Sequence, residues 1–376
     1  MTRATSTTTS RSIRPRLLPM LAGLLGSLVI ACAMPPIAMA TTVATPQVRT
    51  GYLQKAPYRI DVPAHWNGDL VVLMHGYERK GAPRMVPWPL SNVVRVFLSR
   101  GYAVAASAYA SQGWAVHDAL LDSAQLRDFF TRTFGQPRRT YAVGFSLGGL
   151  EVVAALERQH PVYDGGLSLC GADVSAPELI ARDAVEPLAA FDVFFPGVLP
   201  SLVGPASPAM VDPSRIRQAL ASNPAKARLL ERRLQETSAS LPGALALYYM
   251  VLRELEQRAG GMPVDTTTTV YHGFGDDRAF NREVRRYRGS PTAMAYLARN
   301  VTLTGRIDVP LVLEWNAFDP IIPARFHGIY PQLVRAAGDA AEMTVLPPVG
   351  SGHCAFTDAQ IGHAFDVLVE RVHGGK

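Results

Sequence analysis

One short stretch of this sequence combines a nucleophilic side chain with the small residues that a sharp turn requires. Ser146 stands at the centre of a G-x-S-x-G pattern over residues 144–148. An apolar, β-prone run precedes the serine and a helix-forming run follows it, and in that context the pattern forms a strand-to-helix turn with an exposed hydroxyl. Glycines remove side chains that would clash in such a strained turn. The pattern therefore predicts that Ser146 is a catalytic nucleophile.

A serine hydroxyl is a weak nucleophile at neutral pH, so it needs a base within hydrogen-bond reach and a third group that orients the base. Of the nine histidines, we favour His353, because it lies in a glycine-bounded loop just after the last predicted strand, at residues 341–346. His75, at the end of an early strand, and His272 are the rivals. We predict Asp319 as the orienting carboxylate, since it follows an apolar strand in a proline-stiffened loop. Glu314, inside that strand, is the second choice.

Acyl transfer also needs hydrogen-bond donors that face the developing oxyanion. We expect one donor from the backbone N–H of Leu147, at the start of the helix that follows the nucleophile. The second is expected from the backbone N–H of Tyr77, where Gly76 lets the chain turn. Trp114 is a candidate substrate contact. Together with the apolar residues between 191 and 202, it indicates an apolar acyl pocket. The alternative is that these residues only pack the lid against the body of the protein.

The predicted elements place the chemical residues at one edge of a sheet. Buried strands are indicated by continuous apolar runs at residues 70–74, 102–106, 140–145, 165–169 and 309–315, and helical patterns separate most of them. This alternation predicts a doubly wound, mostly parallel α/β sheet, whose ligands bind beyond the carboxyl ends of the strands. Residues 58–63 alternate as an edge strand would, and residues 41–50 are predicted to be a flexible lead-in.

The alternation stops between residues 178 and 305, where helical patterns at 213–235, 242–258 and 279–297 replace strands. Because the sheet pattern resumes afterwards, we predict a helical lid inserted into one α/β core that comprises residues 41–177 and 306–376. A separate helical domain with its own function is the alternative.

Residues 1–40 have the composition of an export signal. Four arginines precede an uncharged apolar run at residues 17–30, and an A-x-A pattern occupies residues 38–40, which predicts cleavage before Thr41 and a periplasmic or secreted protein. A retained membrane anchor is one alternative. The sequence V-I-A-C that ends at Cys32 resembles a bacterial lipobox, so a lipid anchor on Cys32 is the other. No later run approaches the roughly 20 apolar residues of a membrane-spanning helix.

Composition narrows the classes of function. A chain of 376 residues with 48% hydrophobic and 18% charged residues is typical of a globular protein. Its net charge of +6 comes partly from the leader arginines and includes no basic block, so nucleic-acid binding is not expected. The sequence contains no H-E-x-x-H, C-x-x-C, G-x-G-x-x-G or P-loop pattern. We therefore predict neither a metal nor a cofactor.

Taken together, these motifs give the chain a resemblance to the α/β-hydrolase superfamily. The resemblance rests on the His-Gly-Tyr turn at 75–77, the G-x-S-x-G pattern, Asp319 and His353, in the chain order Ser, Asp, His, and it covers residues 55–372. It implies that Ser146 is the nucleophile, that His353 acts first as base and then as acid, and that a lid follows the strand after the nucleophile. The His-Gly-Gly-Gly loop of one esterase branch is absent.

Removal of the leader would leave two cysteines, Cys170 and Cys354. An even pair in an exported protein can form a disulfide, and two buried free thiols are the alternative. In a sheet of the superfamily's topology the loop at Cys170 can approach the loop of His353. We therefore predict a Cys170–Cys354 disulfide that holds the histidine loop.

The residues indicate a secreted serine hydrolase that cleaves small or polymeric carboxylic esters with an apolar acyl part, through an acyl-enzyme on Ser146. A serine aminopeptidase is an alternative, and it would need an acidic group such as Asp276 or Asp277 to bind an amine. An acyltransferase would differ only in the acceptor. A non-catalytic binding module is disfavoured because no triad position is missing.

Overall fold

The computed structural model describes residues 45–84, 91–159 and 161–374. The predictions for the export signal and for Cys32 lie outside the described residues. Eight strands of the described chain form one sheet: β1 (Gln47–Leu53), β2 (Ala56–Val62), β3 (Leu70–Met74), β4 (Ala103–Ser107), β5 (Thr140–Phe145), β6 (Gly165–Leu169), β7 (Leu311–Glu314) and β9 (Met343–Val345). Two further strands, β8 (Asn316–Phe318) and β10 (Val349–Ser351), pair only with each other.

The strand order of the large sheet is β1-β2-β4-β3-β5-β6-β7-β9. Both pairings of β2, with β1 and with β4, are antiparallel, and all other pairings are parallel. Every residue of β3, β4, β6 and β7 is buried, as expected of parallel strands covered on both faces. With the G-x-S-x-G turn at the end of β5, this arrangement is the α/β-hydrolase fold, and the predicted fold class is confirmed.

Helices cover both faces of the sheet. They are α1 (Ser91–Leu98), α2 (Val116–Phe134), α3 (Leu147–Arg158), α11 (Ile329–Ala337) and α12 (Asp358–Gly374). Buried residues of α1 and α12 join one apolar cluster, and those of α2, α3 and α11 join another. Alternate residues of β3 belong to the two clusters: Leu70 and Val72 face one, and Val71 and Leu73 the other. The period of two in a strand explains this division.

The described residues between β6 and β7 form helices and no strand. These elements are α4 (Ala176–Leu179), a π-helical turn (Ile180–Val185), α5 (Glu186–Phe194), α6 (Pro213–Ser222), α7 (Pro224–Leu234), α8 (Leu241–Ala259), α9 (Asp277–Glu283) and α10 (Pro291–Asn300). The single helix predicted at 213–235 is wrong, because Asn223 caps a second helix by accepting a hydrogen bond from the backbone N–H of Lys226. The boundaries at 178 and 305, and a role as a lid, stay predictions. None of the described helices combines the length and apolar character that a membrane span requires.

At the N-terminal edge of the sheet, the structure differs from two predictions made from the sequence. The flexible lead-in predicted to extend to residue 50 is wrong from Gln47 onward, since β1 begins there, and residues 58–63 are not an edge strand, because β2 lies between β1 and β4. The first four residues of β1 are exposed. It is the backbone ladder with β2, in the register Gln47 to Val62, that holds this strand. A strand without a buried face leaves no hydrophobic alternation to detect.

Candidate active site

Ser146 occupies a sharp turn between β5 and α3. Its backbone has φ 58° and ψ −124°, a conformation that non-glycine residues rarely adopt. A Cβ added to Gly144 would lie 2.0 Å from the carbonyl oxygen of Gly148, and one added to Gly148 would lie 2.2 Å from that of Met74. Only glycine fits at these two positions, so the sequence pattern follows directly from the packing of the turn.

The structure brings the three predicted side chains together. The Oγ of Ser146 lies 2.8 Å from Nε2 of His353. On the other side of the ring, Nδ1 of His353 lies 2.9 Å and 3.0 Å from the two carboxylate oxygens of Asp319. Asp319 is only 3% exposed, and its Oδ1 accepts the backbone N–H groups of Ile321 and Ile322 at 2.8 and 3.0 Å. The arrangement can take a proton from Ser146 and hold the resulting imidazolium beside a fixed carboxylate.

The rival residues lie outside this relay. The side chain of His272 is 74% exposed and lies 3.5 Å from Asp277. Burial lowers the pKa of His75 to about 4, and its ring stacks on that of Tyr109 at 4.1 Å. Glu314 is buried in β7, where burial raises the pKa of its carboxyl group, and it makes no hydrogen bond to a described residue through Oε2.

The residues of both predicted oxyanion donors lie beside Ser146. Tyr77 and Leu147 line the same cavity as Ser146. Leu147 is the first residue of α3, where backbone N–H groups lack intrahelical partners and carry a partial positive charge. A Cβ added to Gly76 would lie 3.0 Å from Cβ and 3.4 Å from Oγ of Ser146. The absence of a side chain at Gly76 therefore lets this turn pass close to the hydroxyl.

A buried hydrogen-bond chain that the sequence analysis missed supports the turn at residues 75–77. The backbone N–H of His75 donates to the hydroxyl of Tyr109 at 2.9 Å, and this hydroxyl donates to Oε2 of Glu151 at 2.7 Å. Burial raises the pKa of Glu151 well above its ordinary value. Since Glu151 belongs to α3, which begins directly after Ser146, these hydrogen bonds connect the turn to that helix. The sequence feature that could have indicated these hydrogen bonds is a glutamate inside the apolar run that follows Gly149.

The cavity above Ser146 has a volume of about 560 Å³. Its lining is mainly apolar and includes the predicted substrate contact Trp114. The helices between β6 and β7 contribute Leu179, Ile180, Ala184, Leu247 and Val251. The apolar residues between 191 and 202 do not line this cavity, so their predicted place in an acyl pocket is wrong. Instead, Phe191, Phe195, Leu199 and Leu202 are buried in the adjoining core, because they pack the helices of this segment together.

Among the described residues, no lysine or arginine lines the cavity, and the most buried carboxyl group of its lining is that of Asp183. Burial raises the pKa of Asp183 to about 7, and its Oδ1 accepts a hydrogen bond from Arg325 at 2.8 Å. Among the described residues, no group of three or more His, Cys, Asp or Glu side chains is arranged to hold a metal ion.

Cys170 and Cys354 form a disulfide, with their Cα atoms 5.3 Å apart across a sequence separation of 184 residues. The predicted pairing is confirmed. The bond joins the carboxyl end of β6 to the residue after His353, and Sγ of Cys354 lies 3.6 Å from Nε2 of His353. The disulfide therefore contacts the side of the imidazole that faces Ser146.

Comparisons with known proteins give similarity in structure only. No family model and no curated protein matches the sequence. An acylaminoacyl peptidase of Pyrococcus horikoshii is 11% identical, with a TM-score of 0.46 over 87% of this chain and 41% of the peptidase. This chain thus spans about two fifths of that protein's length.

Two smaller proteins are similar over most of their own length. An esterase of Pyrococcus furiosus is 12% identical, with a TM-score of 0.46 over 86% of this chain and 91% of the esterase. An esterase/lipase from an uncultured bacterium is 12% identical, with a TM-score of 0.45 over 88% and 86% of the two chains. The strand order of the large sheet, rather than these likenesses, identifies the fold.

Proposed function

We propose that this protein is an exported serine hydrolase that cleaves carboxylic esters with an apolar acyl part. The observation that carries the proposal is the hydrogen-bonded series Ser146, His353 and Asp319, with contacts of 2.8 and 2.9 Å, at the wall of a mainly apolar cavity. A buried carboxylate on one side of an imidazole and a serine hydroxyl on the other form the arrangement that generates a nucleophile at neutral pH.

In the first half of the reaction, Oγ of Ser146 attacks the ester carbonyl while Nε2 of His353 takes its proton. Asp319 holds the ring in the required tautomer and stabilises the imidazolium. The backbone N–H groups of Leu147 and Tyr77 stabilise the oxyanion, each by about 3–4 kcal/mol. His353 then protonates the leaving alcohol. In the second half, water activated by His353 releases the acid from Ser146.

The cavity supports an uncharged, apolar acyl group. The part of its lining that the structure describes contains no lysine or arginine that would bind an anionic acyl chain. Burial of an alkyl chain there stabilises the complex by about 0.8 kcal/mol per CH₂ group. We further propose that the helices between residues 178 and 305 act as the lid of this cavity. Seven residues of its lining support this role: Leu179, Ile180, Asp183, Ala184, Leu247, Tyr248 and Val251.

Export is proposed from the signal pattern of residues 1–40 together with the Cys170–Cys354 disulfide, because disulfides persist in oxidising compartments. The aminopeptidase alternative gains no support from the acidic pair considered for amine binding. Asp276 accepts the backbone N–H of Ala279 at the start of α9, and Asp277 accepts those of Gly273 and Phe274. These bonds cap and close a surface turn.

The test compares Ser146→Ala with Ser351→Ala, which changes an exposed serine near His353. Hydrolysis of p-nitrophenyl butyrate and labelling by a fluorescent phosphonate are measured on purified protein. We expect Ser146→Ala to lose about 10⁴-fold or more in kcat and all labelling, and Ser351→Ala to retain both. Undiminished turnover in Ser146→Ala would refute the proposal. Faster cleavage of aminoacyl anilides than of esters would favour the peptidase, and net transfer to an added alcohol would favour the acyltransferase.

A further inference from the structure

The loop that carries His353 contains two glycines in backbone conformations that other residues rarely adopt. Gly350 and Gly352 lie on its N-terminal side with φ values of 68° and 116°, in the region that favours glycine. A loop of this kind can adopt many conformations unless other contacts fix it. The distance between His353 and Ser146 therefore depends on what holds residues 350–355, which we term the histidine loop.

The side-chain amide of Asn316 contacts the backbone on both sides of the histidine loop. Its Nδ2 donates to the carbonyl oxygens of Val349, at 2.9 Å, and Ala355, at 3.4 Å. Its Oδ1 accepts the backbone N–H of Ala355 at 3.2 Å. Asn316 is fully buried, so water does not compete for these bonds.

The backbone around Asn316 reinforces the same connection. β8 and β10 are parallel, with Asn316 opposite Val349, and the N–H of Gly352 donates to the carbonyl oxygen of Phe318 at 2.8 Å. Three residues after Asn316 the same segment provides Asp319. One short stretch of chain thus holds both the carboxylate and the loop of the imidazole that bonds to it.

We propose that Asn316 is a positioning residue that sets the geometry of His353 against Ser146 and Asp319. The inference rests on the proposed function and adds a residue to its machinery. A primary amide is suited to this place because it offers donors and an acceptor at once. Aspartate would set a carboxylate against two carbonyl oxygens, and alanine would leave all three backbone groups without their partner.

The experiment uses the full exported chain with Asn316→Ala and the milder Asn316→Ser, whose hydroxyl can replace one of the lost donors. Asn281→Ala is the matched control. The amide of Asn281 makes the same kind of bonds to backbone: it accepts the N–H of Tyr271 at 2.9 Å and donates to the carbonyl oxygens of Tyr271 and Asp277, each at 2.7 Å. Asn281 lies in α9 and does not line the cavity.

We expect kcat for p-nitrophenyl butyrate to fall about 10- to 100-fold in Asn316→Ala, since small displacements of a catalytic group have effects of this size. KM should stay within about twofold, because the cavity lining is unchanged. Asn316→Ser should lie between this variant and the unmodified protein. Asn281→Ala should lower the melting temperature while it leaves kcat within about twofold.

A second readout does not depend on turnover. The low-field proton NMR resonance of the Nδ1–H of His353, hydrogen-bonded to Asp319, should shift or broaden in the Asn316 variants and stay unchanged in Asn281→Ala. Absence of esterase activity in the unmodified protein would overturn the proposed function and leave this resonance as the test of positioning. An unchanged kcat and resonance in folded Asn316→Ala would overturn the inference, and so would misfolding of both Asn316 variants, because the residue would then serve folding alone.

Discussion

At the scale of single residues, Asp319 shows how local contacts give one carboxylate a defined direction. Two backbone N–H groups of its own loop hold Oδ1, and His353 lies against both oxygens. Glu314 is equally buried and close in sequence, but β7 directs its side chain elsewhere. Residue type and burial therefore do not distinguish the two carboxyl groups as partners of His353. The direction of the side chain distinguishes them.

Replacement of Asp319 by asparagine should lower kcat by about 10³- to 10⁴-fold, because an amide can hold the imidazole in the wrong tautomer and cannot stabilise the imidazolium. Glu314→Gln is the matched control and should keep kcat within a few-fold. The measurement is steady-state hydrolysis of p-nitrophenyl butyrate by both variants at pH 8. Equal losses in the two variants would contradict the role of Asp319.

At the scale of elements, links between neighbouring strands and helices position the candidate site. Tyr109 connects the turn at residues 75–77 to α3 through Glu151, and the disulfide connects the end of β6 to the histidine loop. Each link joins two segments that carry different parts of the site, so we expect each to affect activity as well as stability.

Tyr109→Phe should lower stability by about 1–3 kcal/mol, since it removes the buried hydroxyl that accepts the backbone N–H of His75 and donates to the carboxyl of Glu151. A shifted turn should also reduce kcat, by roughly 10-fold for one weakened oxyanion donor. Tyr163→Phe is the control, because the buried hydroxyl of Tyr163 has no hydrogen-bond partner among the described residues. Urea unfolding and kcat are measured for both, and a loss in Tyr163→Phe as large as in Tyr109→Phe would count against this explanation.

The paired replacement Cys170→Ala and Cys354→Ala should lower the free energy of unfolding by about 2–5 kcal/mol. We expect kcat to fall at temperatures where the variant remains folded, because Cys354 adjoins His353. Chemical denaturation and turnover at 15 °C check the two expectations separately. Full activity in the folded variant would show that Asn316 and the β8–β10 pairing hold the histidine loop without the disulfide.

At the scale of the whole molecule, several carboxyl groups are buried without a full complement of charged partners. Asp173 is 2% exposed, and its described partner is the hydroxyl of Ser168, at 2.9 and 3.0 Å. Burial raises the pKa of Asp173 to about 7. The folded protein therefore holds this proton at pH values where the unfolded chain has released it.

Because the folded-state pKa lies above the unfolded one, stability from this group is complete below about pH 4 and is lost as pH rises toward 7. Asp173→Asn keeps an acceptor for Ser168 and removes the titration, so its stability relative to the unmodified protein should rise with pH, by roughly 4 kcal/mol at most. Urea unfolding at pH 4.5 and 8 measures the difference. The same measurement on Asp366→Asn, at an exposed position, is the control for the substitution itself. A stability difference for Asp173→Asn that does not change between the two pH values would contradict the prediction.

The sequence by itself predicted the fold class and the three side chains that the structure brings together, because both depend on local signals. Apolar runs marked the buried strands, glycines marked the strained turn at Ser146, and the ends of predicted strands marked Asp319 and His353. The disulfide followed from two cysteines and the expected topology.

Apart from the disulfide, the residues that hold the site in place were revealed only by the tertiary structure. Asn316, Tyr109 and Glu151 act through partners 33 to 42 positions away in the chain, and no local pattern specifies such partners. The exposed edge strand β1 was missed because backbone pairing, rather than an apolar face, forms it. The sequence specifies which chemical groups are present. Their distances and directions arise from contacts between segments that meet only when the chain folds.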